Sequence, residues 1–188
     1  MRMHIFDDFL NEFHNEQILS HLNDSQNFNW YFFPNVQTEA APTSIYVSGF
    51  RHLFHREGKQ MSDYFYTITP IISEVEKKLN KKLVSIINAH ANLCLNFGKP
   101  FEGLPHMDGY MDCETKTSKR YTVIYYVEDS DGDTILYDNE LNETFRCSPQ
   151  KNRCFIFRSD TWHSGSLPTQ HNLRRVININ LLLDGEHD

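Results

Sequence analysis

The sequence predicts a mainly β protein, a β-sandwich or jelly roll with helices covering one side. Two observations predict this fold class. The second half of the chain holds many short β-branched and aromatic runs separated by turn residues. The first half holds helical patterns of apolar residues instead. Its 188 residues show no repeat, linker or low-complexity tract, so we expect one domain.

Composition restricts the class of partner. The chain carries 18 Lys and Arg against 25 Asp and Glu, for a net charge of −7. This acidic balance argues against a nucleic-acid partner, and no apolar run approaches the roughly 20 residues that span a membrane. The four cysteines form no C-x-x-C motif and the N-terminus does not resemble a signal peptide. We therefore expect reduced thiols and a cytoplasmic location.

The N-terminal elements come first. Residues 4–10 read as a short strand, and Asn11 is a candidate N-cap for a helix over residues 12–22. The side of this helix expected to be buried holds Phe13, Ile18, Leu19 and Leu22. Residues 36–44 are expected to be irregular, and residues 44–54 to hold a strand.

A second helical pattern starts near Ser62. Pro70 fits the first turn of a helix capped by Thr69. Its apolar stripe consists of Ile68, Ile71, Ile72, Val75 and Leu79. From residue 84 onward the pattern changes from helical to β. The expected strands lie within residues 84–97, 121–127, 134–137, 145–147, 154–157, 162–166 and 176–183.

The triplet His106-Met107-Asp108 is the motif on which the functional prediction depends. Side chains at i and i+2 of a strand share one face, so His106 and Asp108 can bind one metal ion together. His163, on a later strand, would complete a set of two histidines and one carboxylate. Such a set leaves coordination positions open and is typical of non-haem Fe(II) oxygenases. The triplet alone is common by chance, and His52 and His55 lack a matching carboxylate.

Arg174 and Arg175 precede the last predicted strand. The planar fork of an arginine suits a carboxylate, so one of them can anchor an anion deep in a barrel. Taken alone, Arg174 and Arg175 are better explained as a pair of surface arginines.

Together these residues resemble the Fe(II)/2-oxoglutarate-dependent dioxygenases, in particular the prolyl-4-hydroxylase-like branch and its small single-domain microbial and viral members. The resemblance covers about residues 88–184. It is carried by the segments 106–108, 121–126, 132–137, 149–157, 162–165 and 175–179. Two departures are the turn Asp131-Gly132-Asp133-Thr134, where the family often has two glycines, and a slightly long loop between His163 and Arg175.

The resemblance implies a double-stranded β-helix (jelly roll) with N-terminal helices packed against one sheet. Residues 1–188 would form a single domain, with a helical cover over about 1–85 and a jelly-roll core over about 86–184. The implied activity is a hydroxylase dependent on 2-oxoglutarate and O2, acting on a peptide or protein residue. The implied cofactor is Fe(II), with ascorbate as a candidate reductant. Asp108 favours hydroxylation, since related halogenases lack this carboxylate.

The resemblance also implies roles for individual residues. His106, Asp108 and His163 match the iron ligands. Arg175 is our choice for the salt bridge to the distal carboxylate of 2-oxoglutarate, with Arg174 as the alternative. The other residues expected at the cosubstrate are Tyr126, which matches a hydrogen-bonding tyrosine, Thr122 and Ile124 on its face, Asn96, and Asn92 beside it.

The sequence does not single out one substrate. Candidate contacts, each explained at least as well by packing, are Tyr110, Met111, Arg51, His52, Arg158 and Trp162. Trp162 adjoins a metal ligand and so points to the opposite face, which favours the core for it. A free amino acid or another small molecule is an alternative to a peptide. Two other functions stay open: a zinc hydrolase using the same three ligands, and a non-catalytic jelly-roll binding module. The hydrolase would lack the glutamate of H-E-x-x-H and would not need Tyr126 or Arg175.

Overall fold

The computed structural model describes residues 3–34, 48–108 and 118–185. The predicted irregular stretch 36–44, Tyr110, Met111 and Cys113 lie outside these residues. A 3₁₀ helix, Asp63–Ile68, precedes the second α-helix. The helices and strands are β1 Met3–Phe6, α1 Glu12–Asn23, β2 Tyr31–Phe33, β3 Gly49–Arg56, β4 Lys59–Gln60, α2 Thr69–Leu79, β5 Lys82–Leu95, β6 Ser118–Tyr126, β7 Thr134–Tyr137, β8 Glu143–Cys147, β9 Arg153–Arg158, β10 His163–Gly165 and β11 Leu173–Asp184.

The described strands form two antiparallel sheets, which confirms the predicted mainly β fold. The major sheet has the order β1-β9-β6-β11-β5-β3-β2, with β4 paired to β3, and the minor sheet has the order β10-β7-β8. Non-consecutive neighbours in both sheets are typical of a jelly roll. An apolar cluster lies where side chains of the major sheet meet those of β7 and β8, and it includes Tyr126, Leu136, Cys147, Phe155 and Phe157.

The two faces of the major sheet have different chemistry. In β11, every second residue is fully buried in the main apolar core, and these are Ile177, Ile179, Leu181 and Leu183. Their partners on the helices are Ile18, Leu22, Ile71, Ile72 and Val75. The other face of β11 carries Arg174, Val176, Asn178 and Asn180, because side chains alternate along a strand. The helices therefore pack on one face, and a largely polar strip of β11 lies on the other.

The first helix begins as predicted. The side chain of Asn11 caps α1 by accepting a hydrogen bond from the backbone N–H of His14 at 2.9 Å. Ile18 and Leu22 are buried, but Phe13 is 67% exposed, so its predicted burial is wrong. Phe13 lies five residues before Ile18, which at 100° per residue places it away from the buried side of the helix.

The second helix begins one residue earlier than the predicted cap implies. Thr69 is its first residue, and the preceding Ile68 occupies the cap position without a side-chain hydrogen bond. The hydroxyl of Thr69 instead donates to the carbonyl of Tyr66 at 2.8 Å. Asn80 ends the helix in the left-handed conformation, with φ of 50°.

The N-terminal half supplies more than a helical cover. Strands β1 to β4 all join the major sheet, and β1 pairs with β9 from Met3 opposite Phe157 to Phe6 opposite Cys154. Strand β5 already begins at Lys82, before the expected start of the jelly-roll core at residue 86. Within the described residues, no helix has the length and apolar character needed to cross a membrane.

Candidate metal centre

Three potential metal ligands converge at the junction of the two sheets. His106 and His163 form an antiparallel bridge through reciprocal backbone hydrogen bonds of 2.9 and 2.8 Å. Asp108 follows two residues after His106, and its backbone N–H donates to the carbonyl of Ser159 at 3.1 Å. One donor atom from each of His106, Asp108 and His163 lies within 4.8 Å of the other two. Nε2 of His106 lies 3.9 Å from Oδ1 of Asp108, and Nε2 of His163 lies 3.5 Å from Oδ2.

Both imidazoles are oriented by backbone carbonyls. Nδ1 of His106 lies 3.0 Å from the carbonyl of Leu104, and Nδ1 of His163 lies 3.0 Å from the carbonyl of Thr161. A carbonyl only accepts, so each Nδ1 carries a proton, and Nε2 is the nitrogen of each ring left to face a metal ion. Burial, followed by the charge of His163, lowers the pKa of His106 to about 4. His106 is therefore neutral near pH 7, as metal binding requires.

Asp108 is held in its ionised form. Burial alone would raise the pKa of this carboxyl group. The charges of His163 and His106, together with hydrogen bonds from Asn180 and Thr122, outweigh burial and bring the pKa below its ordinary value. Oδ2 accepts from the Asn180 amide at 2.8 Å and from the Thr122 hydroxyl at 2.9 Å. Two imidazoles and one carboxylate are a ligand set that suits a divalent metal ion, which these residues can hold.

A cavity adjoins the two histidines and ends at a buried cation. It is lined by Asn92, Cys94, His106, Ile124, Thr134, His163, Ser164, Gly165, Arg174 and Asn178. Arg174 is only 6% exposed, and it donates to the Gly132 carbonyl at 2.5 Å and to the Thr134 hydroxyl at 3.0 Å. Among the residues that the structure describes, no carboxylate lies within ion-pair distance of its guanidinium group. The cavity is thus suited to an anionic ligand that reaches from the metal centre to Arg174.

Arg175 points away from this cavity, so our choice of Arg175 as the anion anchor is contradicted. Its guanidinium group donates to the Glu128 carboxylate at 2.6 and 2.9 Å and to the side-chain oxygen of Asn23 at 2.6 Å. The physical reason is the alternation of β11, which puts Arg175 on the face of Ile177 and Arg174 on the face of Asn178. The alternative residue, Arg174, lies in the cavity.

Comparison with known proteins identifies the family. Residues 93–182 match the sequence profile of the 2OG-Fe(II) oxygenase superfamily, where 2OG denotes 2-oxoglutarate. This span includes the three converging ligands and the buried Arg174. The chain is a 2OG-Fe(II) oxygenase. Its cofactor and cosubstrates are those of the family, Fe(II), 2-oxoglutarate and O2. No curated protein sequence matches the chain.

Solved structures of other oxygenases share the fold. A prolyl hydroxylase from Trichoplax adhaerens, in complex with a hypoxia inducible factor oxygen degradation domain peptide fragment, is 17% identical, with a TM-score of 0.63 over 97% of this chain and 83% of that one. The viral collagen prolyl hydroxylase of Paramecium Bursaria Chlorella virus-1, in its 2OG complex, is 14% identical, with a TM-score of 0.60 over 98% and 97%. SnoN, a non-haem α-ketoglutarate-dependent epimerase from nogalamycin biosynthesis, is 11% identical, with a TM-score of 0.64 over 96% and 76%.

Only some of the other residues predicted to contact the cosubstrate line the cavity. Ile124 and Asn92 line the cavity. Thr122 does not line it and instead holds Asp108. Tyr126 is fully buried beside it, and its hydroxyl donates to Thr134 Oγ1 at 2.7 Å, so it meets the cavity through Thr134. Asn96 lies past the end of β5 and donates to the carbonyls of Thr169 and His171 at 2.9 and 3.0 Å.

The residues predicted to contact the substrate lie at different places in the structure. Arg51 lines a second, larger groove on the oxygenase. His52 borders the same groove, but its ring nitrogens are engaged by the Asn29 carbonyl at 2.7 Å and the Ser62 hydroxyl at 2.8 Å. Arg158 lies 3.4 Å from the Asp160 carboxylate. The backbone carbonyl of Trp162 accepts from Tyr137 at 2.9 Å. Tyr110 and Met111, which were also predicted to contact the substrate, lie outside the described residues.

Sequence reasoning missed Asn178 and Asn180. Asn180 holds Asp108, and Asn178 lines the cavity with a buried Oδ1 that has no hydrogen-bond partner among the described residues. The signal was present in the sequence. Arg174, Asn178 and Asn180 are separated by even numbers of positions, so they share one face of a strand whose other face is entirely apolar from Ile177 onward.

Proposed function

We propose that this oxygenase is a 2-oxoglutarate-dependent hydroxylase of the prolyl-4-hydroxylase type, acting on a residue of a peptide or protein. His106, Asp108 and His163 would hold Fe(II), and Arg174 would bind the distal carboxylate of 2-oxoglutarate. Two of the similar structures carry the names of prolyl hydroxylases, one of them in complex with a peptide. This supports a peptide substrate over a free amino acid.

The observation that carries the proposal is a shared cavity. Arg174 and the two histidines line the same space, with a buried cation at one end and metal ligands at the other. Burying an unpaired guanidinium group costs several kcal/mol, so the fold tolerates Arg174 because an anion binds there. A dicarboxylate can bind the metal ion with one end and neutralise the buried charge of Arg174 with the other.

Bound Fe(II) supplies oxidative decarboxylation of 2-oxoglutarate by O2, coupled to hydroxylation of a substrate C–H bond. The chain itself contributes position and charge. The carbonyls of Leu104 and Thr161 keep the imidazoles in the ligand tautomer. Thr122 and Asn180 keep the Asp108 carboxylate in place. Ile124 gives the cavity an apolar wall, and an anion bound beside it would be attracted to Arg174 more strongly than in bulk water.

Anaerobic addition of Fe(II) and 2-oxoglutarate tests the ligand assignments. We expect the visible charge-transfer band of a chelated iron–2-oxoglutarate complex in the intact protein. The band should be lost in Asp108→Ala. Arg174→Gln should shift its 2-oxoglutarate titration to higher concentration, while Arg175→Gln should leave the titration unchanged. A folded protein that gives no band would overturn the proposal.

The reaction and the substrate are tested by products. Succinate release is measured against proline-containing peptides, free amino acids and nucleic acids, and the stimulating molecule is examined by mass spectrometry. We expect peptides to stimulate succinate release and to gain one oxygen atom. Stimulation by free amino acids or nucleic acids alone would refute the peptide hydroxylase. A product without added oxygen would refute hydroxylation.

A further inference from the structure

A second groove lies at the β2–β3 edge of the major sheet, and part of its lining is on the face that carries the metal centre. It encloses about 860 Å³ and opens to solvent. Its lining includes Tyr31 and Phe33 of β2, Arg51, Leu53 and Arg56 of β3, and Asn88 of β5. None of these residues belongs to the ligand set or to the cavity of Arg174.

Strand register connects the groove to the site at two points. Arg51 lies opposite Asn92, which lines the cavity, and its Nε donates to Asn92 Oδ1 at 3.0 Å. Farther along β3, Arg56 lies opposite Asn88, and Asn88 lies opposite Asn180, which holds Asp108. The groove therefore runs alongside the metal centre for the length of β3.

A β-bulge brings both arginines to the groove. The register of β3 shifts between Leu53 and His55, so that Arg51, Leu53 and Arg56 share one face although Arg51 and Arg56 are five positions apart. Phe54, the extra residue, is fully buried in the apolar core on the other face. Without the bulge, Arg56 would point toward the core.

The guanidinium group of Arg51 is fixed in direction. Its Cζ lies 4.3 Å from the centre of the Phe33 ring, in cation–π geometry, and Asn92 accepts from its Nε. Its charge reaches the metal site. Burial lowers the pKa of His90 to about 3, the charge of Arg51 adds to this effect, and the charge of Asp108 opposes it. His90 therefore lies within electrostatic range of both the groove and the metal ligand.

The charge of the groove is opposite to that of the chain. Among the residues that the structure describes, its lining holds two arginines and one acidic residue, Asp63, in a protein whose net charge is −7. Arg56 also lies 3.7 Å from the carboxylate of Glu57, but both side chains are more than half exposed, so this pair is weak and a bound carboxylate can compete with it. Arg51 and Arg56 arise from backbone positions roughly 15 Å apart, at about 3.3 Å per strand residue. A single free amino acid is too short to meet both cations, whereas an extended peptide presents side chains at that spacing.

We propose that this groove binds an acidic peptide segment, whose carboxylates pair with Arg51 and Arg56 while a neighbouring residue enters the metal site. Tyr31 and Phe33 provide apolar contact along the same wall. The proposal rests on the proposed function for what happens to the bound residue. It adds the chemical class of the substrate, a peptide carrying Asp or Glu on both sides of the target residue.

Direct binding tests this without relying on turnover. Fluorescein-labelled nine-residue peptides with a central proline are titrated against the full chain, and anisotropy is recorded. One peptide carries Asp and Glu around the proline, and its matched partner carries Asn and Gln. We expect the acidic peptide to bind about tenfold more tightly, and this preference to shrink as salt is raised.

Variants assign the preference to the groove. Arg51→Gln and Arg56→Gln should each remove most of the acidic preference, and Arg51→Lys, which keeps the charge, should retain much of it. The matched control is Lys59→Gln, which removes one exposed positive charge opposite Arg56 but outside the groove lining. Circular dichroism confirms that each variant is folded. Equal binding of the two peptides, or Arg variants that behave like Lys59→Gln, would overturn the proposal.

Two further results separate this inference from the proposed function. Acidic-peptide binding without an iron–2-oxoglutarate band would refute the hydroxylase and support the groove. A normal band without peptide preference would refute the groove alone. Displacement of the peptide by free glutamate at equal concentration would also refute it, since a single amino acid would then carry all the recognition.

Discussion

The hydroxyl group of Thr122 donates a hydrogen bond to Oδ2 of Asp108 across 2.9 Å. Asn180 donates to the same oxygen at 2.8 Å, and the two donors lie opposite each other on β6 and β11. Two neighbouring strands of the major sheet thus orient the one carboxylate of the metal centre. Its second oxygen, Oδ1, is the one nearer to Nε2 of His106.

Replacing Thr122 with Val should weaken iron binding. The change keeps the side-chain shape and removes one of the two hydrogen bonds that orient Asp108. Loss of such an outer contact lowers metal affinity by about tenfold or more. Anaerobic Fe(II) titration followed by calorimetry measures the effect. Thr122→Ser, which keeps the hydroxyl group, is the control and should bind nearly as tightly as the wild type. Equal affinity in Thr122→Val would show that Asn180 alone orients the carboxylate.

The two adjacent arginines should fail in different ways. Arg174→Gln should weaken 2-oxoglutarate binding by about a hundredfold, because a buried carboxylate then loses its cation. Arg175→Gln should leave that affinity unchanged and reduce the free energy of unfolding by about 2 kcal/mol, since it breaks a largely buried pair with Glu128. The charge-transfer titration and a thermal melt separate the two effects. A reversed pattern would restore Arg175 as the anchor.

Gly132 should be required for the position of Arg174. A Cβ atom at residue 132 would lie 2.6 Å from Cδ of Arg174 and 2.7 Å from the carbonyl oxygen of Ser166. Because both distances are too short, Gly132→Ala should displace Arg174 and raise the dissociation constant of 2-oxoglutarate about tenfold. Fe(II) affinity should stay near the wild-type value, which places the defect at the anion end of the cavity.

The control for this glycine is Gly58→Ala. A Cβ atom there meets nothing within 4 Å, although its φ of +78° makes alanine unfavourable. We expect a loss of stability of about 1 kcal/mol and unchanged 2-oxoglutarate binding. If both alanine variants bind 2-oxoglutarate normally, Arg174 has more room than the structure indicates.

Asp131 should make stability depend on pH. Burial raises the pKa of its carboxyl group, but hydrogen bonds from the backbone of residues 169–171 and the hydroxyl of Thr169 outweigh burial and bring the pKa well below the ordinary 3.8. A lowered folded-state pKa stabilises the protein above pH 3.8, and this contribution is lost as the pH falls below that value. Asp131→Asn should therefore melt at a lower temperature than the wild type near neutral pH, and the difference should shrink in acid.

The matched control for Asp131 is Asp160→Asn. The Asp160 side chain is 63% exposed, 3.4 Å from Arg158, so its replacement should change the melting temperature little at any pH. Melts followed by circular dichroism between about pH 7 and pH 3 record both variants. A pH-independent gap for Asp131→Asn would mean that the carboxylate charge is not what holds the loop.

Local patterns were enough to predict most of the architecture and the meeting of the three ligands. The i, i+2 rule grouped His106 and Asp108 correctly, although His106 forms only an isolated β-bridge and Asp108 lies outside the described strands. Asn11 marked the start of α1. The choice between Arg174 and Arg175 depends on the alternation of side chains along β11. Asn180 faces the metal site, and Arg174, six positions earlier, lies on the same face, whereas Arg175 lies on the other. The length of β11 alone does not indicate which of its two faces meets the cavity.

Other errors arose where contacts between distant segments decide the outcome. Asn96 lies one residue beyond β5, so alternation no longer fixes its direction, and the loop at residues 169–171 captures its amide. Thr122 shares a face with Tyr126, as predicted, but only the approach of Asp108 from another segment reveals its partner. The bulge that turns Arg56 toward the groove depends on the packing of Phe54, which no periodicity reveals.

The division of the major sheet into an apolar and a polar face has a consequence for how this protein can change. Folding energy resides largely with Ile177, Ile179 and their helical partners, while recognition is assigned to side chains on the reverse of the same strands. Leu53 and Asn88 are not part of the main apolar core, so substitutions there can change substrate choice without changing core packing. Such a sheet is well suited to directed evolution, since new specificity can be selected at little cost in folding yield.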